Sequence, residues 1–317
     1  MPAGSGVSGL VLADTTSRWG DLSLRVVSAL VLLPVTLFCI WLGGYAFLLV
    51  VATGGLVLAY EWLAMCGLSP SNQAFFWFPI GIAAVAISSG LGQAGSGLLI
   101  VAAGTLVAAL FPRRFCPLRP RDRTGRGASP DEPAPGNNAT TAGTCSRFNL
   151  AFGIPYIGLA AVALPWLRAD PTAGLANTLF VLSIVWASDI GAYVVGRLAG
   201  GPKLAPRISP GKTWSGAAGG LGSAALGGFA VASCLSADIT SLRASVHMIG
   251  LGLVLGVISQ AGDLLESAIK RHFGVKDSGR IIPGHGGLLD RLDALLVAAP
   301  VAALLAFSVG RGVVLWQ

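Results

Sequence analysis

The sequence predicts an all-α fold, a polytopic bundle of about nine transmembrane helices. The first observation is composition: 54% of the 317 residues are hydrophobic and only 11% are charged, whereas soluble domains carry about 25% charged residues. The second is that apolar runs long enough to cross a bilayer recur along almost the whole chain. The third is that basic residues concentrate in every second connecting segment, as in the cytoplasmic loops of membrane proteins.

Each predicted span is a mostly apolar run of about 17–25 residues, the length that crosses a bilayer as a helix. The nine runs cover residues 24–42, 45–65, 74–91, 95–111, 148–168, 174–196, 214–235, 245–266 and 290–311. The third and fourth runs are short, and one re-entrant pair is the alternative interpretation of them.

These runs divide the chain into four parts. They are a disordered cytoplasmic leader at 1–23, N-terminal transmembrane helices at 24–111, a basic cytoplasmic linker at 112–147 and a C-terminal transmembrane region at 148–317. The linker is rich in Arg, Pro, Gly and Ser, so we expect no core of its own there.

The charge pattern predicts the orientation of the bundle. If the N-terminus lies inside, all but three of the 21 basic residues fall on the cytoplasmic side, the exceptions being Arg168, Arg243 and Arg311. This asymmetry predicts an N-in, C-out topology. It also accounts for the net charge of +7, so we do not expect nucleic acid as a partner.

Acidic residues gather at the ends of the last two predicted helices. Helical spacing places four polar residues on one face of the eighth helix: Asp263, Glu266, Ser267 and Lys270. Asp290 and Asp293 begin the ninth helix, so antiparallel packing brings the carboxylates together. Clustered carboxylates need cations, and oxygen-only ligands favour Mg²⁺. The alternative is that Asp290 caps its helix while Asp263 pairs with Lys270 or Arg271.

The segment between these helices suits a polyphosphate. It is basic, and its sequence PGHGG at 283–287 lets backbone N–H groups approach an anion closely. We predict four catalytic residues in and beside it: Lys270, Arg271, Lys276 and His285. The lysines and arginine would offset phosphate charge, and His285 would donate to a phosphate or stabilise the loop.

Residues 267–293, SAIKRHFGVKDSGRIIPGHGGLLDRLD, resemble the signature of the phosphatidate cytidylyltransferase family, the CDP-diacylglycerol synthases. The resemblance implies a membrane enzyme that makes CDP-diacylglycerol and pyrophosphate from CTP and phosphatidate. It also implies a metal centre of Mg²⁺, with K⁺ as a second ion, at Asp263, Asp290 and Asp293. We accordingly expect an integral protein of the bacterial inner membrane, with its active site on the cytoplasmic face and its catalysis in the C-terminal region.

A second block, SDIGAYVVGRLAGGPKLAPRISPGKTWSG at 188–216, is similar to another segment of this family. Together the two blocks give the predicted substrate-binding residues Asp189, Tyr193, Ser209, Lys212, Thr213, Ser267 and Arg291. Three of them precede the seventh helix, whose N-terminus suits an anion. The family usually has Glu where this chain has Ser215, which leaves an acid role at that position open.

Two other functions remain alternatives. A CTP-dependent kinase of a lipid alcohol would transfer the γ-phosphate and release CDP. An ion-coupled transporter would use Asp189, Asp263 and Asp290 as coupling carboxylates, but such sites lie near the midplane between inverted repeats. Here the carboxylates gather at helix ends, and the sequence has no evident repeat.

Two further features have two interpretations each. Glu61 lies in the second apolar run, where it is either a functional carboxylate or a side chain that extends to the interface. The small-residue pairs Gly216/Gly220 and Gly252/Gly256 are typical of a homodimer face or of helix packing within one chain.

Overall fold

The computed structural model describes residues 30–68, 71–110, 147–235, 242–279, 281 and 286–316. Within these residues the chain forms nine helices and one β-hairpin. In chain order they are α1 (Leu30–Leu42), α2 (Gly44–Met65), α3 (Ala74–Gly90), α4 (Ala94–Leu110), α5 (Arg147–Arg168), α6 (Gly174–Ala199), β1 (Lys203–Ala205), β2 (Ser209–Thr213), α7 (Trp214–Leu235), α8 (Leu242–His272) and α9 (Leu289–Val309). The predicted leader, the linker up to residue 146, and His285 lie outside the described residues.

The helices follow the predicted apolar runs closely, with one large difference. Helix α8 has 31 residues and continues to His272, whereas the apolar run ends at residue 266. The last turns of α8 are polar, and packing of their buried face keeps them helical beyond the apolar segment. Lys270 and Arg271 are therefore helical residues.

The β-hairpin corrects the all-α prediction to a nearly all-α fold. β1 and β2 pair antiparallel, with Lys203 opposite Thr213 and Ala205 opposite Ser209. Three prolines in this segment are typical of a loop, and each removes a backbone donor. The hairpin tolerates them because it is two-stranded and both of its strands are edges.

In the part of the chain that the structure describes, six helices are long and apolar enough to cross a membrane: α2, α5, α6, α7, α8 and α9. Helices α3 and α4 are shorter, with 17 residues each. Large apolar side chains cover the outside of the bundle, among them Leu99, Leu226 and Phe307, each at least 70% exposed. Such a surface suits lipid and would be unfavourable in water.

Glycine pairs bring the helices of the C-terminal half together within the chain. A Cβ atom on Gly216 would lie 2.8 Å from the carbonyl oxygen of Ala192, and one on Gly252 would lie 2.8 Å from the Cα of Ala225. Helix α7 therefore packs directly on α6 and α8 through these positions. Packing within one chain accounts for both small-residue pairs, and a homodimer face is not needed to explain them.

Side-chain hydrogen bonds close the end of the bundle opposite to Asp263 and Asp290. Arg168, at the end of α5, donates to the carbonyl oxygens of Ile40 and Trp41 at 2.6 and 2.9 Å. These carbonyls end helix α1 and have no partner within that helix, so a guanidinium group is favourable there.

Asp170, in the turn between α5 and α6, ties this end to the C-terminal segment. Its carboxylate accepts the backbone N–H of Ala173 at 2.9 Å and that of Gly312 at 2.7 Å. Partial burial alone would raise the pKa of Asp170, but these hydrogen bonds and those from Thr172 outweigh it and hold the pKa below its usual value.

Candidate active site

Helices α2, α8 and α9 and the hairpin meet at one end of the bundle. Lys212, at the end of the hairpin, contacts Asp263 of α8 at 2.6 Å. Arg271 of α8 donates to the carbonyl oxygen of Ile208 in the hairpin at 3.3 Å. Glu61 of α2 accepts the backbone N–H of Leu289, the first residue of α9, at 2.8 Å. The two blocks singled out in the sequence therefore form one site.

The first group of charges in this site contains three carboxylates from three helices. Asp293 in α9, Asp263 in α8 and Asp189 in α6 lie close enough for their negative charges to act on one another. Lys212 offsets part of this charge through its ion pair with Asp263. Asp293 is buried, whereas Asp189 is exposed and the Asp263 side chain is 35% exposed. These three carboxylates are therefore buried on the side of Asp293 and accessible on the side of Asp189.

The second group is a half-buried lysine held by two carboxylates. The ammonium nitrogen of Lys270 lies 2.7 Å from Glu266 and 2.8 Å from Asp290. Asp290 also accepts the backbone N–H groups of Ser278 at 3.0 Å and Gly287 at 3.1 Å. Asp290 thus joins α8, the loop and α9.

Oxygen donors are what Mg²⁺ requires, and Asp263 and Asp293 meet that requirement because they approach each other from neighbouring helices. Asp290 is arranged differently, since its two oxygens face Lys270 and loop N–H groups. In the described part of the chain, no three His, Cys, Asp or Glu side chains form a cluster that could hold a metal ion. The metal centre on Asp263, Asp290 and Asp293 stays a prediction.

The hairpin delivers polar residues to the N-terminus of α7. The Thr213 hydroxyl accepts the backbone N–H of Gly216 at 3.1 Å and so caps the helix. It also lies 3.0 Å from the hydroxyl of Ser215, which donates to the carbonyl oxygen of Gly200. Ser215 therefore joins the start of α7 to the end of α6, and no carboxylate occupies that position in this chain.

The remaining predicted residues surround these groups. Tyr193 is 65% exposed, and its hydroxyl accepts a hydrogen bond from Arg197 at 2.9 Å. Ser209 and Ser267 are half-buried, on β2 and α8. Arg271, Lys276 and Arg291 are exposed at the end of α8, in the following loop and in the first turn of α9. Their contacts with substrates stay predictions, as does the role of His285.

Sequence reasoning missed the role of two polar residues in apolar runs. The side-chain amide of Gln260 donates to the carbonyl oxygen of Ala217 at 3.0 Å and so ties α8 to α7 near Asp263. Glu61 is only 3% exposed, so the interpretation that it extends to the interface is wrong. In each case the sequence showed a polar side chain inside an apolar run, but it did not show which group that side chain would contact.

The chain is similar to known proteins over most of its length. The sequence model of the Cytidylyltransferase family matches residues 23–309. A phosphatidate cytidylyltransferase of Brucella suis biovar 1 is 39% identical over 286 residues, which are 90% of this chain and 93% of the relative. Phosphatidate cytidylyltransferases of Haemophilus influenzae and Staphylococcus epidermidis are 43% and 39% identical over 157 and 165 residues. These shorter matches cover 49% and 50% of this chain and 54% and 60% of the relatives.

Proposed function

The chain belongs to the cytidylyltransferase family, and we propose on that basis that it is the enzyme making CDP-diacylglycerol and pyrophosphate from CTP and phosphatidate. The observation that carries this conclusion is the likeness to a phosphatidate cytidylyltransferase over 90% of the chain. The site supports it, because carboxylates and basic groups suited to phosphates lie at one end of a lipid-facing bundle. The chain is therefore an integral membrane enzyme of phospholipid synthesis.

The reaction is a nucleotidyl transfer. A phosphate oxygen of phosphatidate attacks the α-phosphorus of CTP, the bond from that phosphorus to the bridging oxygen breaks, and pyrophosphate leaves with the bond electrons. A phosphate is already an anionic nucleophile and needs little activation by a base. The protein must therefore hold two mutually repelling anions in line and offset the charge on the leaving group.

We assign the metal to Asp263 and Asp293, whose carboxylates approach each other. A magnesium ion bound there would offset negative charge on the substrate phosphates. Asp290 as a third ligand and K⁺ as a second ion are further expectations from the family resemblance. Asp290 would need to exchange its bond to Lys270 for one to the metal.

The basic residues of the chain are assigned to the phosphates. Lys212, beside the N-terminus of α7, is the best placed because it already lies at the edge of the carboxylate group. Arg271, Lys276 and His285 would offset charge on the triphosphate from the loop side. Lys270 would do so only in part, because two carboxylates already bind its ammonium group.

The other polar residues are assigned to the phosphatidate headgroup or to the cytidine. They are Asp189, Tyr193, Ser209, Thr213, Ser267 and Arg291. The acyl chains of phosphatidate remain in the bilayer, which the exposed apolar side chains of the bundle adjoin.

We also propose the topology that the charge pattern predicts: nine spans, an N-terminus in the cytoplasm and an active site at the inner face of the bacterial inner membrane. The described basic residues near the site support this orientation, since Lys212, Lys270 and Arg271 lie at one end of the bundle. Arg168 lies at the other end. CTP is a cytoplasmic metabolite, which fits a site on that face.

A product assay tests the function. Purified protein in detergent is given CTP, phosphatidate and Mg²⁺, and we expect CDP-diacylglycerol and pyrophosphate in equal amounts. Formation of CDP with transfer of the γ-phosphate to a lipid alcohol would instead identify a lipid kinase. Ion-driven uptake by proteoliposomes without CTP, together with no cytidylyl transfer, would identify a transporter.

A further inference from the structure

Glu61 of α2 caps a helix that lies far away in the chain. Its two carboxylate oxygens accept the backbone N–H groups of Leu288 at 2.9 Å and Leu289 at 2.8 Å. Helix α9 begins at Leu289, and its own N-cap residue provides no side-chain hydrogen bond. The first N–H groups of a helix lack partners within it, and its positive dipole end favours a carboxylate. Glu61 supplies that carboxylate from 228 residues earlier.

The same carboxylate holds the signature loop, which we define as residues 273–288 between α8 and α9. The hydroxyl of Ser278 donates to Glu61 at 3.3 Å, while the backbone N–H of Ser278 donates to Asp290 at 3.0 Å. Ser278 therefore links Glu61 of the N-terminal half to Asp290 of the site. A displacement of Glu61 would be transmitted to Asp290 through this single residue and through the start of α9.

Two described glycines of the loop, Gly279 and Gly287, lie close against Glu61. A Cβ atom on Gly279 would lie 2.8 Å from one carboxylate oxygen of Glu61. A Cβ atom on Gly287 would lie 2.9 Å from the other oxygen and would overlap the Ser278 hydroxyl. Only glycine permits so close an approach. Gly279 and Gly287 therefore serve this contact in addition to any contact with phosphate.

Burial of the Glu61 carboxylate costs free energy, so a stabilising role alone does not explain this contact. Glu61 is 3% exposed, and in the described residues no lysine or arginine forms an ion pair with it. A buried carboxylate without a cation loses much hydration energy, which hydrogen bonds must offset. Acidic residues in such surroundings are usually retained for function.

We propose that Glu61 is a positioning residue for cytidylyl transfer. It acts through the start of α9 and the signature loop, and it fixes Asp290, Arg291 and Asp293 at the site without contacting either substrate. It thereby couples helix α2 of the N-terminal half to the reaction in the C-terminal half. The effect on turnover rests on the proposed function, whereas the effect on the loop does not.

The substitution Glu61→Gln tests this role. Glutamine keeps the size of the side chain but turns one acceptor into an N–H₂ donor that faces a backbone N–H group. We expect kcat to fall about 100-fold, the loss typical of a small misplacement at a reacting centre. Hydrogen exchange, measured by mass spectrometry without substrates, should become faster in peptides covering 276–290 and remain unchanged in α6 and α7. Glu61→Asp, which keeps the charge, should recover part of both properties.

Asp170→Asn is the matched control. Asp170 also accepts backbone N–H groups from a distant segment, but at the opposite end of the bundle. This variant should lose thermal stability and yet keep wild-type kcat and wild-type exchange in 276–290. A Glu61→Gln enzyme with the same behaviour as Asp170→Asn would overturn the proposal.

Ser278→Ala decides the question if Glu61→Gln does not fold, because it removes the hydroxyl contact with Glu61 and leaves the backbone N–H contacts of Leu288 and Leu289 in place. Faster exchange in the loop together with a lower kcat would support the proposal, and wild-type values of both would overturn it. A wild-type protein that makes no CDP-diacylglycerol would contradict the proposed function. Loop exchange would still test the positioning role in that case.

Discussion

At the scale of single residues, Lys270 shows how the site balances its charges. Its ammonium group lies between Glu266, whose side chain is 1% exposed, and Asp290. A buried carboxylate is stable as an ion only when a cation or several donors accompany it. Lys270 therefore stabilises this part of the site, whether or not it also binds the triphosphate.

We predict that Lys270→Met destabilises the protein by about 3–5 kcal/mol, because it leaves a buried carboxylate without its cation. The double variant Glu266→Gln/Lys270→Met should regain most of that stability. Thermal unfolding in detergent measures both effects. Lys276→Met removes an exposed lysine of the neighbouring loop and should keep the wild-type Tm.

Wild-type stability of Lys270→Met would contradict this account of the ion pairs. Cytidylyl transfer by the double variant separates the two roles of Lys270. A stable but inactive double variant would assign Lys270 to the triphosphate as well. An active double variant would limit Lys270 to charge balance.

At the scale of elements, the positions of the helices could be predicted from the sequence, whereas the structure of the polar segments between them could not. Each helix follows an apolar run whose length matches a bilayer, so composition alone located it. The convergence of α8 and α9 followed from helical spacing, since Asp263 and Asp293 lie near each other on neighbouring helices. The β-hairpin was missed because its prolines and glycines are typical of loops, and its pairing depends on the helices beside it.

The partners of the carboxylates were also beyond sequence reasoning. Asp290 binds N–H groups of Ser278 and Gly287, and Glu61 binds the start of α9. Backbone N–H groups are present at every residue except proline, so no sequence pattern shows which of them a side chain will reach. Only the folded arrangement of α2, α9 and the loop does so.

We predict that Gly252→Ala destabilises the bundle by about 1–3 kcal/mol, because the added methyl group would lie 2.8 Å from the Cα of Ala225 and force α7 and α8 apart. The matched control is Gly250→Ala in the same helix, where no atom lies within 4 Å of the added methyl group. That change should be neutral or slightly stabilising, since alanine favours helices. Thermal unfolding compares the two variants, and equal Tm values would contradict this packing of α7 on α8.

At the scale of the whole molecule, the proposed site lies at one end of a membrane-spanning bundle. The opposite end carries closing contacts such as those of Arg168 and Asp170. This division suits an enzyme whose lipid substrate lies in the bilayer and whose nucleotide substrate comes from water. It also fits the composition, because few residues of the chain are charged and many of them lie at the end with the proposed site.

The central claim is that α8 and α9 together hold a divalent metal through Asp263 and Asp293. Its most direct test is the binding of Mn²⁺, which shares the oxygen ligands of Mg²⁺, to purified protein without substrates, followed by electron paramagnetic resonance. We predict that the wild type and Asp170→Asn bind the ion equally. Asp263→Asn and Asp293→Asn should each weaken binding at least about tenfold. Equal Mn²⁺ affinity in wild type, Asp263→Asn and Asp293→Asn would contradict the claim.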